Sequence, residues 1–277
     1  MNVKPDTDLT AQPLRRADEL EEALGNCRLA LIQTVHAMSA VAARRDQFTA
    51  HHQLRVAELS VAMGRRLGLD SERLEGLYLG ALVHDIGKIA IPWEILSKPG
   101  AFTAAERSLV ESHAQIGADI LAPLILPWPI QLIVAQHHER LDGSGYPARL
   151  RGEAILPEAR IVAVADVFQS MCDDRPYRLA LGIDPALAEL ERGAGVTFDA
   201  DAVRALQAIA AAERSVEALW GSLAVDAHDA GAYACALERP HGAAFEAPPG
   251  IPVSWSSSPL ATPAGACRAQ RAEDPHR

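Results

Sequence analysis

Five histidines and two aspartates fall at wide intervals through the middle of this chain: His52, His84, Asp85, His113, His137, His138 and Asp166. A lone histidine on a helix is more often structural or solvated, so the set carries the reading and no single member does. Imidazole and carboxylate together suit iron, manganese, zinc or nickel, and the lack of a thiolate disfavours a structural zinc site. Seven donors are too many for one tetrahedral ion. They match two six-coordinate ions that share a bridging carboxylate and a water. Two ions roughly 3.5–4 Å apart suit phosphoester cleavage, because they activate the water and neutralise charge on the phosphate oxygens. The neighbours His84 and Asp85 would lie about 100° apart on a regular helix. They therefore reach two different ions, or one ion from a helix end.

The elements that must position these residues read as helices. Leu20, Leu24, Leu31, Val35, Met38 and Val41 recur at helical steps and predict one apolar stripe on a helix over 17–45. That stripe suits packing on the domain, pairing with a second chain in a homodimer, or connection to a sensor. Thr49 is the expected cap of a helix running to Gly68, a C′ glycine, and Asp70 or Ser71 opens the next. Thr103 and Glu106 form a capping box ahead of the helix carrying His113. Pro129 begins the stretch ending in His137 and His138, Pro157 fits the first turn of the helix carrying Asp166, and Asp184-Pro185 starts another. No alternating pattern exceeds four residues, so the expected class is all-α.

Composition narrows the function. A hydrophobic content of 49% indicates a globular chain, and only 5% aromatic residues leave the core to aliphatics and alanine. The net charge of −10 argues against a polynucleotide partner, which needs a basic face, but not against a small anion met by local cations. Cys27, Cys172, Cys235 and Cys267 form no CxxC pair. No apolar run has signal-peptide or membrane-span length, and the expectation is a cytoplasmic protein. Seven of the 18 prolines lie between Pro240 and Pro275 with no periodicity, which predicts a disordered C-terminal tail.

Longer words then become recognisable. His84-Asp85-Ile86-Gly87-Lys88 resembles the core motif of the HD superfamily of metal phosphohydrolases. IPWEILSKPGAFTAAE, HHERLDGSGYP at 137–147, ARIVAVADVF at 159–168 and RPYR at 175–178 resemble the narrower HD-GYP family. The resemblance covers about 49–207. It implies an HD-type helical bundle at 49–212 with a helical extension at 1–48, followed by the end of the last helix and a flexible tail at 213–277. It implies cyclic di-GMP hydrolysis to linear pGpG by a two-metal-activated water, with iron or manganese as the ions and diguanylate cyclases among the signalling partners. His52, His84, Asp85, His113, His137, His138 and Asp166 look like the family's metal ligands, with Asp85 as the bridge. Lys88 resembles the phosphate-facing lysine, Tyr146 could contact a guanine or ribose, and Arg175 and Arg178 align with substrate-phosphate contacts.

Three departures qualify the likeness. Some members carry a glutamate four residues before the first histidine, which helps hold a third metal; here that position is Phe48. A two-metal site that stops at the linear dinucleotide is therefore expected. Gln169 stands where the family usually has aspartate, and Trp93 replaces a common aspartate. The competing readings are cleavage of cyclic GMP-AMP, a broader HD-type nucleotide phosphohydrolase, and a signalling adaptor that binds nucleotide or a partner without turnover.

Overall fold

The computed structural model describes residues 11–45, 47–173, 179–212 and 215–229. All of them belong to one unit, Met1–Glu238; the remainder, Arg239–Arg277, lies outside the described residues, as does most of the expected tail. Among the described residues there are eleven α-helices and no strand. In chain order they are α1 (Ala11–Arg45), α2 (Gln47–Arg66), α3 (Ser71–Leu82), α4 (Trp93–Leu96), α5 (Ala104–Glu111), α6 (His113–Leu121), α7 (Ile130–Gln136), α8 (Pro157–Cys172), α9 (Ile183–Gly193), α10 (Ala200–Ala210) and α11 (Val216–Asp229). The all-α expectation holds. No helix among the described residues is long and apolar enough to cross a membrane.

Local chemistry sets most of the boundaries. Asp70 caps α3 by accepting from the Arg73 N–H at 2.8 Å. The capping box is present: the Glu106 N–H donates to Thr103 Oγ1 while the Thr103 N–H donates to Glu106 Oε2. Pro157 sits in the first turn of α8, and Gly68 takes φ +77° just after α2. Two expectations need correction. Thr49 is not a cap, because α2 begins at Gln47 and Thr49 lies inside it. The capped helix ends at Glu111, and His113 opens a separate helix after a break at Ser112.

α2 is the centre of the bundle, with α1, α3, α8, α10 and α11 packed around it. Val56, Leu59 and Met63 of α2 are wholly buried, as are Leu77 and Leu79 of α3 and Phe168 of α8. The core is thus aliphatic, as the composition implies. It extends into the last described helix: α11 buries Leu219, Trp220 and Leu223 and continues to Asp229. The first helix departs from expectation. Of the six residues assigned to its stripe, only Val35 is buried, and the face on the body is Ile32, Val35, Ser39 and Ala42.

Candidate metal centre

All seven predicted donors meet at one place between α2, α3, α6, α7 and α8. His52 and Asp166 project from the interiors of α2 and α8. The other five stand at helix ends, where the backbone leaves regular geometry. α3 stops at Leu82 and re-forms as a 3₁₀ turn over Ile86–Ala90, so His84 and Asp85 sit on the intervening turn and both face inward. His113 is the first residue of α6, and His137 and His138 follow the last turn of α7. The 100° problem of adjacent donors disappears because neither pair lies on a regular helix.

Gly87 shows why glycine follows the His-Asp pair. A Cβ there would collide with the His113 carbonyl oxygen and lie 2.6 Å from the Gly117 nitrogen. Any side chain would push the 3₁₀ turn off α6 and separate Asp85 from His113. Their closest atoms, Asp85 Oδ1 and His113 Nε2, are 3.3 Å apart.

The imidazoles are aimed from behind. The Nδ1–H groups of His84, His113 and His137 donate to the carbonyls of Ala81, Val110 and Val134 at 2.7, 2.6 and 2.7 Å. That fixes the tautomer and turns each Nε2 lone pair to the centre, the orientation metal sites rely on. Burial pushes the pKa of His84, His113, His137 and His138 down, so these rings are neutral and present lone pairs. Burial alone would raise the Asp85 carboxyl, but the Lys88 ammonium beside it holds it well below the carboxylate range. Asp166 is likewise held low against its burial, chiefly by His52.

Lone pairs therefore face lone pairs. His113 Nε2 and His137 Nε2 are 3.3 Å apart with both Nδ1 protons committed elsewhere. His84 Nε2 and Asp85 Oδ1 are buried without a hydrogen-bond partner. Such an arrangement is costly unless a cation lies among the atoms. Two groups of donor atoms each lie within 4.8 Å of one another: Asp85, His113, His137 and His138, and His52, His84 and Asp85. Asp85 belongs to both, and Asp166 Oδ1 lies 3.2 Å from His52 Nε2 beside the second. The residues fit a pair of divalent ions.

Other predicted residues stand at the rim. Lys88 Nζ donates to Asp85 Oδ2 at 2.5 Å, placing its ammonium against the shared carboxylate. The Tyr146 ring lies 4.7 Å from that of His138. Phe48 falls on the first turn of α2, but its side chain lies outside the described residues, as do Arg175 and Arg178.

The sequence reading missed two supports. Glu139 is buried and accepts from the Ala148 and Leu150 N–H groups at 2.7 and 2.9 Å, pinning the loop that carries Tyr146. Gly145 of that loop lies against the backbone of His138–Arg140, where a Cβ would meet atoms at 2.5 Å. The second support runs through Gln169. Its side-chain carbonyl accepts from His52 Nδ1–H, and its amide donates to Asp173, which accepts from Arg55 at 2.6 Å. The negative charge lacking at residue 169 is supplied one step further out. A carboxylate four residues after Gln169, at the end of the same helix, was the signal available in the sequence.

The family model for the HD domain matches residues 36–202. The cyclic di-GMP phosphodiesterase response regulator RpfG of Xanthomonas campestris is 44% identical over 165 residues, which are 58% of this chain and 43% of that protein. The 3'3'-cGAMP-specific phosphodiesterase 1 of Vibrio cholerae is 41% identical over 150 residues, 54% of this chain and 35% of that protein. The chain spans less than half the length of these curated relatives. A cyclic GMP-AMP-specific phosphodiesterase of Vibrio cholerae superposes with a TM-score of 0.53 over 75% of this chain and 58% of that one, at 17% identity, which shows a shared fold.

Proposed function

The chain belongs to the HD-domain family, and on that premise we propose that it is a metal-dependent phosphodiesterase of the HD-GYP type that opens cyclic di-GMP to linear pGpG. The observation that carries this reading is the convergence of two donor groups on Asp85. His113, His137 and His138 would hold one ion, His52, His84 and Asp166 the other, and Asp85 would bridge them. Two divalent ions, iron or manganese by the family likeness, would supply an activated water and charge neutralisation at the phosphate.

The chain's own residues do the rest. Neutral imidazoles with fixed tautomers present lone pairs without rearrangement. Lys88 can turn from Asp85 toward a phosphate oxygen and oppose charge that builds there. Tyr146 lines the mouth beside His138, where a purine or ribose would rest. Arg175 and Arg178 suit forked phosphate contacts. Phe48 stands one turn before His52 and offers no carboxylate, which supports two ions and accumulation of pGpG.

Both curated relatives above carry cyclic-dinucleotide phosphodiesterase names, one for cyclic di-GMP and one for 3'3'-cGAMP. Elemental analysis of purified protein and chromatographed time courses with each nucleotide test the proposal. The expected result is two ions per chain, turnover of cyclic di-GMP, and pGpG accumulating ahead of GMP. Two bound ions with no turnover of either nucleotide would favour the adaptor reading. GMP without a pGpG lag would refute the argument from Phe48.

A further inference from the structure

α1 carries two apolar faces; the body covers one of them and reaches only the middle of the other, where Leu31 and Met38 are half-buried against the core. Ile32, Val35, Ser39 and Ala42 are buried against the bundle. Roughly a quarter turn around the helix, a second series runs Leu20, Leu24, Cys27, Leu31, Thr34, Met38 and Val41. Its spacing alternates four and three residues throughout, the a/d pattern of a coiled coil. Leu20, Leu24 and Val41 are each 61% exposed, and Cys27 is exposed. Arg15, Arg16 and every residue from Asp18 to Cys27 are exposed as well, so this leading part of α1 has no cover from the body. A solitary helix of that length is marginal in water.

We propose that α1 pairs with α1 of a second copy of this chain as a parallel, in-register coiled coil. Three observations select that occupant. The heptad spacing persists from Leu20 to Val41, over three full repeats. In this register Leu24, Leu31 and Met38 take a, while Leu20, Cys27, Thr34 and Val41 take d. Arg16 then falls at g and Glu21 at the following e, the two positions that meet across a parallel seam. Each dimer gains two such opposite-charge pairs, whereas residues five apart on one helix do not face each other. Finally, the stripe runs into the body. Thr34, Met38 and Val41 border an apolar groove of about 360 Å³ whose other walls include Ile86, Ile89 and Ile120. Ile89 and Ile120 are 36% and 37% exposed, so the groove extends the seam onto the bundle. A two-fold axis along the seam presents the same surface from both copies, the closed arrangement of an isologous dimer.

The experiment uses the whole chain and needs no nucleotide. Sedimentation or light scattering at micromolar concentrations should give twice the chain mass. Leu20→Glu with Leu24→Glu should weaken the dimer at least about 100-fold, while the melting transition of the bundle stays near the parent's, since neither leucine is buried. Mild oxidation with diamide should join the two facing Cys27 thiols, and Cys27→Ser should abolish that product. Arg16→Glu should weaken association, and adding Glu21→Arg should restore it. A monomer throughout this range, or a dimer indifferent to the paired glutamates, would overturn the proposal. A dimer that these glutamates dissolve but that gives no Cys27 cross-link would overturn the parallel register.

Discussion

The molecule buries carboxylates in two ways. Glu75 and Glu158 each meet an arginine: Arg28 binds Glu75 and fastens α1 to α3, and Arg73 donates to Glu158 at 2.7 Å and fastens α3 to α8. Glu139 meets two backbone N–H groups. All three accept hydrogen bonds that tie two segments together and act as fasteners. Asp85 and Asp166 are different, because they face imidazole lone pairs and each other's neighbours, with Lys88 as the cation against Asp85. The fasteners lower the energy of the fold as it stands. The central cluster leaves His84 Nε2 and Asp85 Oδ1 without hydrogen-bond partners, and is tolerated because the bundle holds its donors from behind. Strain of this kind at one place and its absence elsewhere is the physical mark of a binding site.

The sharpest way to break that contrast is Asp85→Ala. Activity on cyclic di-GMP should fall at least about 1,000-fold, and metal content should drop by one ion or more per chain. The metal-free protein should melt close to the metal-free parent, since the unpartnered Asp85 Oδ1 offsets the ion pair with Lys88. Turnover near the parent rate would remove Asp85 as the bridge. A large loss of metal-free stability would make it a fastener like the others.

Glu139→Ala should behave in the opposite sense. The N–H groups of exposed Ala148 and half-buried Leu150 lose their acceptor and turn in part to water, at about 1–2 kcal/mol in all, so the protein should unfold at lower denaturant with or without metal. The loop holding Tyr146 should become susceptible to proteolysis between 141 and 151. Unchanged stability would show that the loop finds other acceptors.

Gln169→Leu probes the boundary between the two classes. Leucine keeps the volume but removes the acceptor for His52 and the donor to Asp173. Metal affinity should weaken roughly 10–100-fold, the usual effect of losing a ligand's outer partner. Direct metal titration reads this independently of turnover. Affinity equal to the parent's would mean that α2 alone orients His52.

Much of this was legible in the sequence because it is local. Capping residues announce their own helix starts, which is why Asp70, Thr103–Glu106 and Pro157 were read in place. The seven donors were legible by type, since His and Asp have few reasons to share a core. What was not legible depends on contacts between distant segments. The break at Ser112 places His113 against Gly87, and nothing in its neighbours requires it. The relay from Arg55 through Asp173 and Gln169 to His52 joins α2 to α8. The division of α1 into a covered and an uncovered face depends on where the bundle lies, which periodicity alone does not specify.

Glu58 offers the smallest test and the most quantitative one. It is half-buried on α2, and burial pushes its carboxyl up to about 7, only partly offset by Arg55. Arg55 also binds Asp173 and stands 5.2 Å from the Trp220 ring, so its charge is shared. Glu58 thus falls between the fasteners and the central pair: a half-buried carboxylate with an incomplete partner. Its folded pKa lies above the ordinary value of 4.5. The protonated form is therefore the one the fold prefers. Its contribution to stability is fully present below about 4.5 and is lost as pH rises through about 7. Glu58→Gln keeps the shape and removes the charge at every pH. Relative to the parent, this variant should gain roughly 1–3 kcal/mol at pH 8 and nothing at pH 4. Denaturant unfolding of the two proteins across that range measures the difference. A gain independent of pH would mean that the benefit comes from packing, and a loss at pH 8 would make Glu58 a fastener paired with Arg55.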